Sequence, residues 1–321
     1  MPAKKKVLLL GGLLMDRYLQ ITNYPHRGGD TLIHKEFLQP GGCPFHVAKT
    51  LQSLGAEPVI YSALSDDNLA QDLNRVMEAE GLSREAVYPL PGETTGYCII
   101  LLDGEGERTF LTFRGCEGHF DPARITPALR EEIAAVFVTG IYLLYPQWSQ
   151  AAVAFLEEMS AQGTPVLFDP GSLIGEMDPD LLRRTMEAAA ILTPNGWERQ
   201  ELERILGIPN LHHWAISRGM ICLAETRGAQ GALLSTPEGT REIPPCPASP
   251  VDTTGTGDSF AGGLLAALLR GLEPVEAAGI ASACGALTAE TVGARGNFTW
   301  EDAKRRLKLA GWIEKEPSEI R

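Results

Sequence analysis

Apolar runs of strand character recur at residues 7–10, 59–61, 135–138, 166–168, 191–193 and 221–223, and stretches of helical periodicity such as 70–80 and 150–162 separate several of them. Runs this short and continuous suit strands buried on both faces, and the helical stretches between them serve as the crossovers that parallel pairing requires. The pattern predicts an α/β chain whose mostly parallel central sheet is covered by helices on both faces. Two segments break it. Residues 31–39 and 94–113 alternate like half-exposed antiparallel strands, the second with a hairpin turn at Asp103-Gly104-Glu105-Gly106. They read as a small β-sheet lid, formed by about residues 15–40 and 94–117, over one edge of a single domain covering 1–321. A lid suits group transfer because it excludes competing water.

Composition closes off several function classes. With 44% hydrophobic and 21% charged residues, the 321-residue chain has the make-up of a globular domain with a substantial core. A net charge of −13 argues against binding nucleic acid or an anionic membrane, since either needs clustered Lys and Arg. A small anion held by local donors remains compatible. No apolar run approaches the roughly 18 to 20 residues of a membrane span, and Lys4, Lys5 and Lys6 read as a solvated tail. Six cysteines without metal, redox or disulfide spacing point to a reducing cytoplasm.

The chemistry is concentrated in Val251-Asp252-Thr253-Thr254-Gly255-Thr256-Gly257-Asp258-Ser259-Phe260-Ala261-Gly262-Gly263. Apolar residues at Phe260, Leu264, Leu265 and Leu268 predict a helix that opens near Gly255 to Asp258. Free N–H groups and the positive end of the helix dipole attract anions there, and glycine lets the main chain approach phosphate oxygens. Asp258 is itself an anion. Its place makes chemical sense if it takes a proton from an attacking hydroxyl while the N–H groups of Gly255, Thr256, Gly257 and Asp258 hold the transferring phosphoryl group. Taken alone, the same residue is a helix cap and Asp252 a turn residue. There is no Walker loop and no complete dinucleotide fingerprint.

This string resembles the C-terminal signature of the PfkB carbohydrate kinase family, the ribokinase-like sugar and nucleoside kinases, whose usual form is D-T-x-G-A-G-D-x-F. Thr256 stands where Ala is usual. Gly41-Gly42-Cys43-Pro44-Phe45-His46-Val47-Ala48 is similar to the family's G-G-x-x-x-N-x-A, and residues 11–16, 195–198 and 226–231 fall in the family's order. The resemblance implies a ribokinase-like three-layer α/β/α fold and Mg2+-dependent transfer of the γ-phosphoryl group of ATP to a hydroxymethyl group of a sugar or sugar derivative. The alternatives are a nucleoside kinase of the same fold and a non-catalytic ligand-binding relative.

Site roles follow from the same resemblance. Asp16, at the end of the first strand, would grip sugar hydroxyls, with Gly41, Gly42 and His46 beside it. His46 replaces the family's Asn with a flatter ring offering one donor and one acceptor, and together with Pro44 and Phe45 it points away from plain ribose. Arg114 and Glu117 either reach substrate or are exposed charges on a sheet edge. Asn195 and Glu198 would position Mg2+ and phosphate, although their spacing equally reads as a capping box. Thr226, Gly228 and Gly231 would line the nucleotide with Ser282 near the adenine, and a hairpin is the competing reading of that loop. Asp252, Thr254, Thr288, Thr291, Gly293 and Asn297 correspond to a monovalent cation site, so K+ is implied. Exposed lid strands point to a homodimer through the lid.

Overall fold

The computed structural model describes residues 6–104, 108–291, 293 and 296–312. Glu105 and Gly106 of the expected hairpin turn, and Lys4 and Lys5 of the expected tail, lie outside the described residues. Lys6 is not solvated tail: it opens the first strand and pairs with Glu85 and Glu132 at 2.9 and 2.8 Å.

In chain order the strands are β1 (Lys6–Leu10), β2 (Leu14–Ile21), β3 (Ile33–Gly41), β4 (Glu57–Leu64), β5 (Val87–Pro89), β6 (Tyr97–Leu102), β7 (Arg108–Phe113), β8 (Ile133–Thr139), β9 (Val166–Asp169), β10 (Ile191–Leu192), β11 (Cys222–Thr226), β12 (Ala232–Thr236) and β13 (Gly239–Ile243). The helices are α1 (Cys43–Ser53), α2 (Asn68–Ala79), α3 (Pro127–Glu132), α4 (Pro146–Ala161), α5 (Pro179–Ala188), α6 (Gly196–Leu206), α7 (Leu211–Ser217), α8 (Thr256–Leu269), α9 (Pro274–Ala289) and α10 (Trp300–Leu309). Among the described residues, no helix is long and apolar enough to cross a membrane.

Nine strands form the large sheet in the order β13-β12-β11-β10-β9-β8-β1-β4-β5. It is parallel from β5 to β11 and turns antiparallel only at β12 and β13. Alternate residues of the central strands serve different cores, which is why their sequences read as unbroken apolar runs. Val7 and Leu9 face the core shared with α1, α8 and α9, whereas Leu8 and Leu10 face the core shared with α4 and α5. This is the three-layer arrangement expected. The chain runs from β1 to β4 in one direction and later from β8 to β11 in the other. That reversal leaves a crevice at the carboxyl ends of β1 and β8, where open α/β sheets bind ligands.

A second sheet, ordered β3-β2-β6-β7, stands apart from the first. Its outer pairs are antiparallel as expected, but β2 and β6 pair in parallel. Each antiparallel pair is a local hairpin, while β2 and β6 are brought together only after the chain has passed through α1, β4, α2 and β5.

Helix α8 is buried nearly all round, from Ser259 to Ala267. Its two glycines admit neighbours on both sides. A Cβ on Gly262 would sit 3.0 Å from the Cβ of Thr50 in α1, and one on Gly263 would sit 2.9 Å from the Sγ of Cys284 in α9. The small residues of α9 thus serve close packing, and α8 is clamped between its neighbours.

Candidate active site

Gly255 precedes α8 with φ at +72°, in the left-handed region, and no side chain caps the helix. Asp258 lies at the third helical position and does not turn back to cap it. Among the described residues, no acceptor takes the N–H of Gly255, Gly257 or Asp258, while the Thr256 N–H makes a long 3.3 Å bond to the Thr253 carbonyl. The helix start therefore presents unspent donors.

Those donors open between two cavities. The first, about 860 Å3, includes Asp16, Gly42, His46, Thr254, Gly255 and Asp258 in its wall. The second, about 780 Å3, includes Asn195, Thr226, Thr253, Thr256, Gly257 and Ser282. The first turn of α8 is the partition between them, with the Asp258 side chain turned to the first cavity and Gly257 to the second.

In the first cavity, His46 Nδ1 lies 3.0 Å from Asp258 Oδ2, and both side chains are largely buried. Burial works against a charged His46 ring, but the hydrogen bond to Asp258 and the charges of Asp258, Asp16 and Asp252 outweigh it and raise the pKa. The ring is thus biased toward imidazolium, with Nδ1 donating to the carboxylate. Asp16 sits on β2 beside Gly41, where an added Cβ would come within 2.4 Å of its carboxylate. Burial pushes the Asp16 carboxyl up to about 6, with the His46 charge opposing and the Asp258 charge adding to it.

Asp16 is therefore ionised above about pH 6 and protonated below. If it accepts hydrogen bonds from the acceptor molecule, the acceptor KM is expected to rise about tenfold between pH 7 and pH 5, as a charged acceptor is lost. Asp16→Asn should abolish that change in KM. Steady-state kinetics at fixed ATP across this range checks it, and a flat wild-type KM would remove Asp16 from acceptor binding.

Asn195, in the wall of the second cavity, follows β10 and caps α6, where it forms a complete capping box with Glu198, both bonds at 2.9 Å. Their backbone is tied to the next strand by a bridge from Asn195 to Thr226. Gly228 and Gly231 belong to the hairpin connection between β11 and β12, and both stand in the wall of this cavity. Ser282 faces this cavity from α9. Glu198 and Asp169 at the end of β9 are both pushed up, first by burial and then by the nearby negative charge of Asp258 and, for Asp169, of Glu198. Asp169 was not among the expected residues. Its signal is an acidic residue at the carboxyl end of a central strand, before Pro170-Gly171.

Residues 4–301 match the pfkB family carbohydrate kinase. The chain belongs to the PfkB family of carbohydrate kinases. It is 28% identical over 289 residues to an uncharacterized sugar kinase, YegV, of Escherichia coli K12, with 85% of each chain covered. It is also 28% identical over 290 residues to the ATP-dependent ribose-1-phosphate kinase of Halopiger xanaduensis, covering 90% of this chain and 94% of that one. Among solved structures, the Burkholderia thailandensis nucleoside kinase in complex with inosine superposes with a TM-score of 0.80 at 26% identity, covering 95% of this chain and 99% of that one.

Two further parts of this PfkB kinase differ from expectation. Arg114 and Glu117 are not exposed charges on a sheet edge. The Arg114 guanidinium lies 4.8 Å from the centre of the Tyr145 ring and donates to the Leu144 carbonyl, and Glu117 is 3% exposed beneath it. Gly12 makes room for that carboxyl, since a Cβ there would lie 1.8 Å from Glu117 Oε2. Burial pushes Glu117 up to about 8, so it is protonated at neutral pH despite the Tyr145 hydroxyl, which donates to Oε1 at 3.0 Å, and the nearby Arg114.

The implied cation site is only partly assembled. Thr254 and Gly293 donate N–H bonds to Asp252 at 2.7 and 3.0 Å, and the Thr291 hydroxyl donates to the carbonyls of Thr288 and Gly293 at 3.0 and 3.4 Å. Asn297 is exposed. Asp252 Oδ1 is already paired with Arg108 at 2.8 Å, so its charge is balanced, and this does not fit a bound monovalent cation.

Proposed function

We propose that this chain transfers the γ-phosphoryl group of ATP to a hydroxymethyl group of a sugar or sugar derivative. The observation that carries the reading is the opening of α8 between two cavities, with unspent N–H donors and one carboxylate at the partition. The nucleotide occupies the cavity of Thr226 and Ser282, and the acceptor occupies that of Asp16 and His46. The acceptor oxygen attacks the γ-phosphorus, the bond to the ADP oxygen breaks, and the hydroxyl proton passes to Asp258. The N–H groups of Gly255, Thr256, Gly257 and Asp258 meet the charge on the transferring oxygens, and Asp16, Gly41, Gly42, His46 and Arg114 orient the acceptor. The kinship with an ATP-dependent ribose-1-phosphate kinase supports ATP as donor.

Asp169 and Glu198, both close enough to Asp258 to feel its charge, fit Mg2+. Among the described residues no group of three His, Cys, Asp or Glu converges to hold an ion outright. Asp169 and Glu198 nonetheless offer hard carboxylate oxygens beside the same helix start, matching an ion held mainly by phosphates and water. When bound it would neutralise phosphate charge.

The strands β2, β3, β6 and β7 serve as a lid, about residues 15–40 and 94–117, within one domain of 1–321. The nucleoside reading has its own support in a broad apolar wall of Ile99, Phe110, Phe113, Ile141 and Leu173 in the acceptor cavity, more than a bare pentose needs. A panel of pentoses, hexoses, sugar acids and nucleosides assayed for ADP release separates the two, and turnover confined to nucleosides would overturn the sugar reading. Release of ADP by none of them would count against transfer itself. The cytoplasm, with all six cysteines free, is the proposed compartment.

Edge strand β3 carries half-exposed Ile33 and Leu38, which supports self-association through the lid. Sedimentation velocity is expected to show a dimer that Leu38→Lys disperses, and a monomeric wild type would sink the idea.

A further inference from the structure

We infer that Arg108 is a positioning residue whose guanidinium, seated on the Asp252 carboxylate, fixes the loop that opens α8 and does there what a monovalent cation would otherwise do. Arg108 begins β7 in the small sheet, whereas Asp252 lies just ahead of α8, so their 2.8 Å contact joins two separate walls of the acceptor cavity. The pair is sheltered, with 18% and 5% of the two side chains exposed, so salt screens it less than a surface pair.

Asp252 is in turn wired into the main chain. Its Oδ1 accepts the Thr254 N–H at 2.7 Å and its Oδ2 the Gly293 N–H at 3.0 Å. Thr254 is the residue before Gly255, so whatever holds this carboxylate also sets where the first donors of α8 point. A buried carboxylate with only N–H partners would keep an uncompensated charge, which is strongly unfavourable. Arg108 supplies the compensating charge through a planar guanidinium whose Nη2 meets Asp252 Oδ1. Because the guanidinium belongs to the small sheet, the anion-binding loop is completed only when that sheet is docked.

The catalytic arm of this inference rests on the proposed phosphoryl transfer at α8, and a melting arm does not. Wild type, Arg108→Lys and Arg108→Met are compared in equal ionic strength of potassium or choline chloride. The wild-type melting temperature and kcat are expected to change less than about twofold in rate and about 1 °C in melting between the two salts. Arg108→Met should lose about tenfold or more in kcat in choline and melt lower. Potassium should restore part of both, and Arg108→Lys should lie between the two other proteins. A wild type whose melting temperature or rate depends on potassium would overturn the inference, as would Arg108→Met with wild-type melting in choline. If no acceptor is turned over at all, the melting comparison still decides it.

Discussion

Asp258→Asn is expected to lower kcat by at least about 10²-fold while leaving ATP affinity unchanged or slightly tighter. The substitution keeps the shape of the side chain at the partition between the two cavities but removes the proton acceptor. It also removes a negative charge that stands close to incoming phosphates, which is why nucleotide binding should not suffer. The partner His46 gives a second signature. Its raised pKa depends on the hydrogen bond and charge of Asp258 acting against burial, so in the variant the ring should deprotonate at lower pH than in wild type. Steady-state kinetics, calorimetric titration with ATP and NMR titration of the His46 ring check the three parts. Turnover at the wild-type level would remove Asp258 from the mechanism.

Gly42→Ala is expected to cost several kcal/mol of stability, seen as a fall in melting temperature on the order of 10 °C. Gly42 has φ at +95°, and a Cβ there would lie 2.0 Å from the Gly12 carbonyl oxygen, a backbone atom that cannot swing away. Strain at the left-handed conformation contributes about 1–3 kcal/mol and forced backbone displacement about as much again. Gly163→Ala is the control, because Gly163 also has positive φ, at +79°, but nothing within 4 Å of an added Cβ. It should show only the strain of the left-handed conformation. Equal melting of the two variants would mean that the contact with Gly12 yields easily.

The central strands were legible because burial on both faces leaves a continuous apolar signature in the sequence itself. Strands β12 and β13 were not, since Ala232–Thr236 and Gly239–Ile243 are short and mix polar with apolar residues, and β13 is a largely exposed edge strand. Strand β2 was missed as a strand because its polar and charged residues follow directly on the glycines of the preceding turn. The glycine run before α8 could be read because positive φ and free N–H groups impose a local composition. The pairing of His46 with Asp258 spans 212 positions, and nothing local to either residue announces it. Arg108 went unread, and the burial of Glu117 unforeseen, for a related reason: both look like hairpin charges, and only tertiary packing buries Glu117 and seats Arg108 on Asp252.

The walls of the two cavities have no residue in common, although the first turn of α8 contributes to both. Under the proposed roles, drift in β6 and in the part of β7 beyond Arg108 can therefore reshape which alcohol is recognised while leaving the walls of the other cavity untouched. A lineage built on this plan would be free to diversify its acceptors while inheriting one unchanging apparatus for handling the triphosphate.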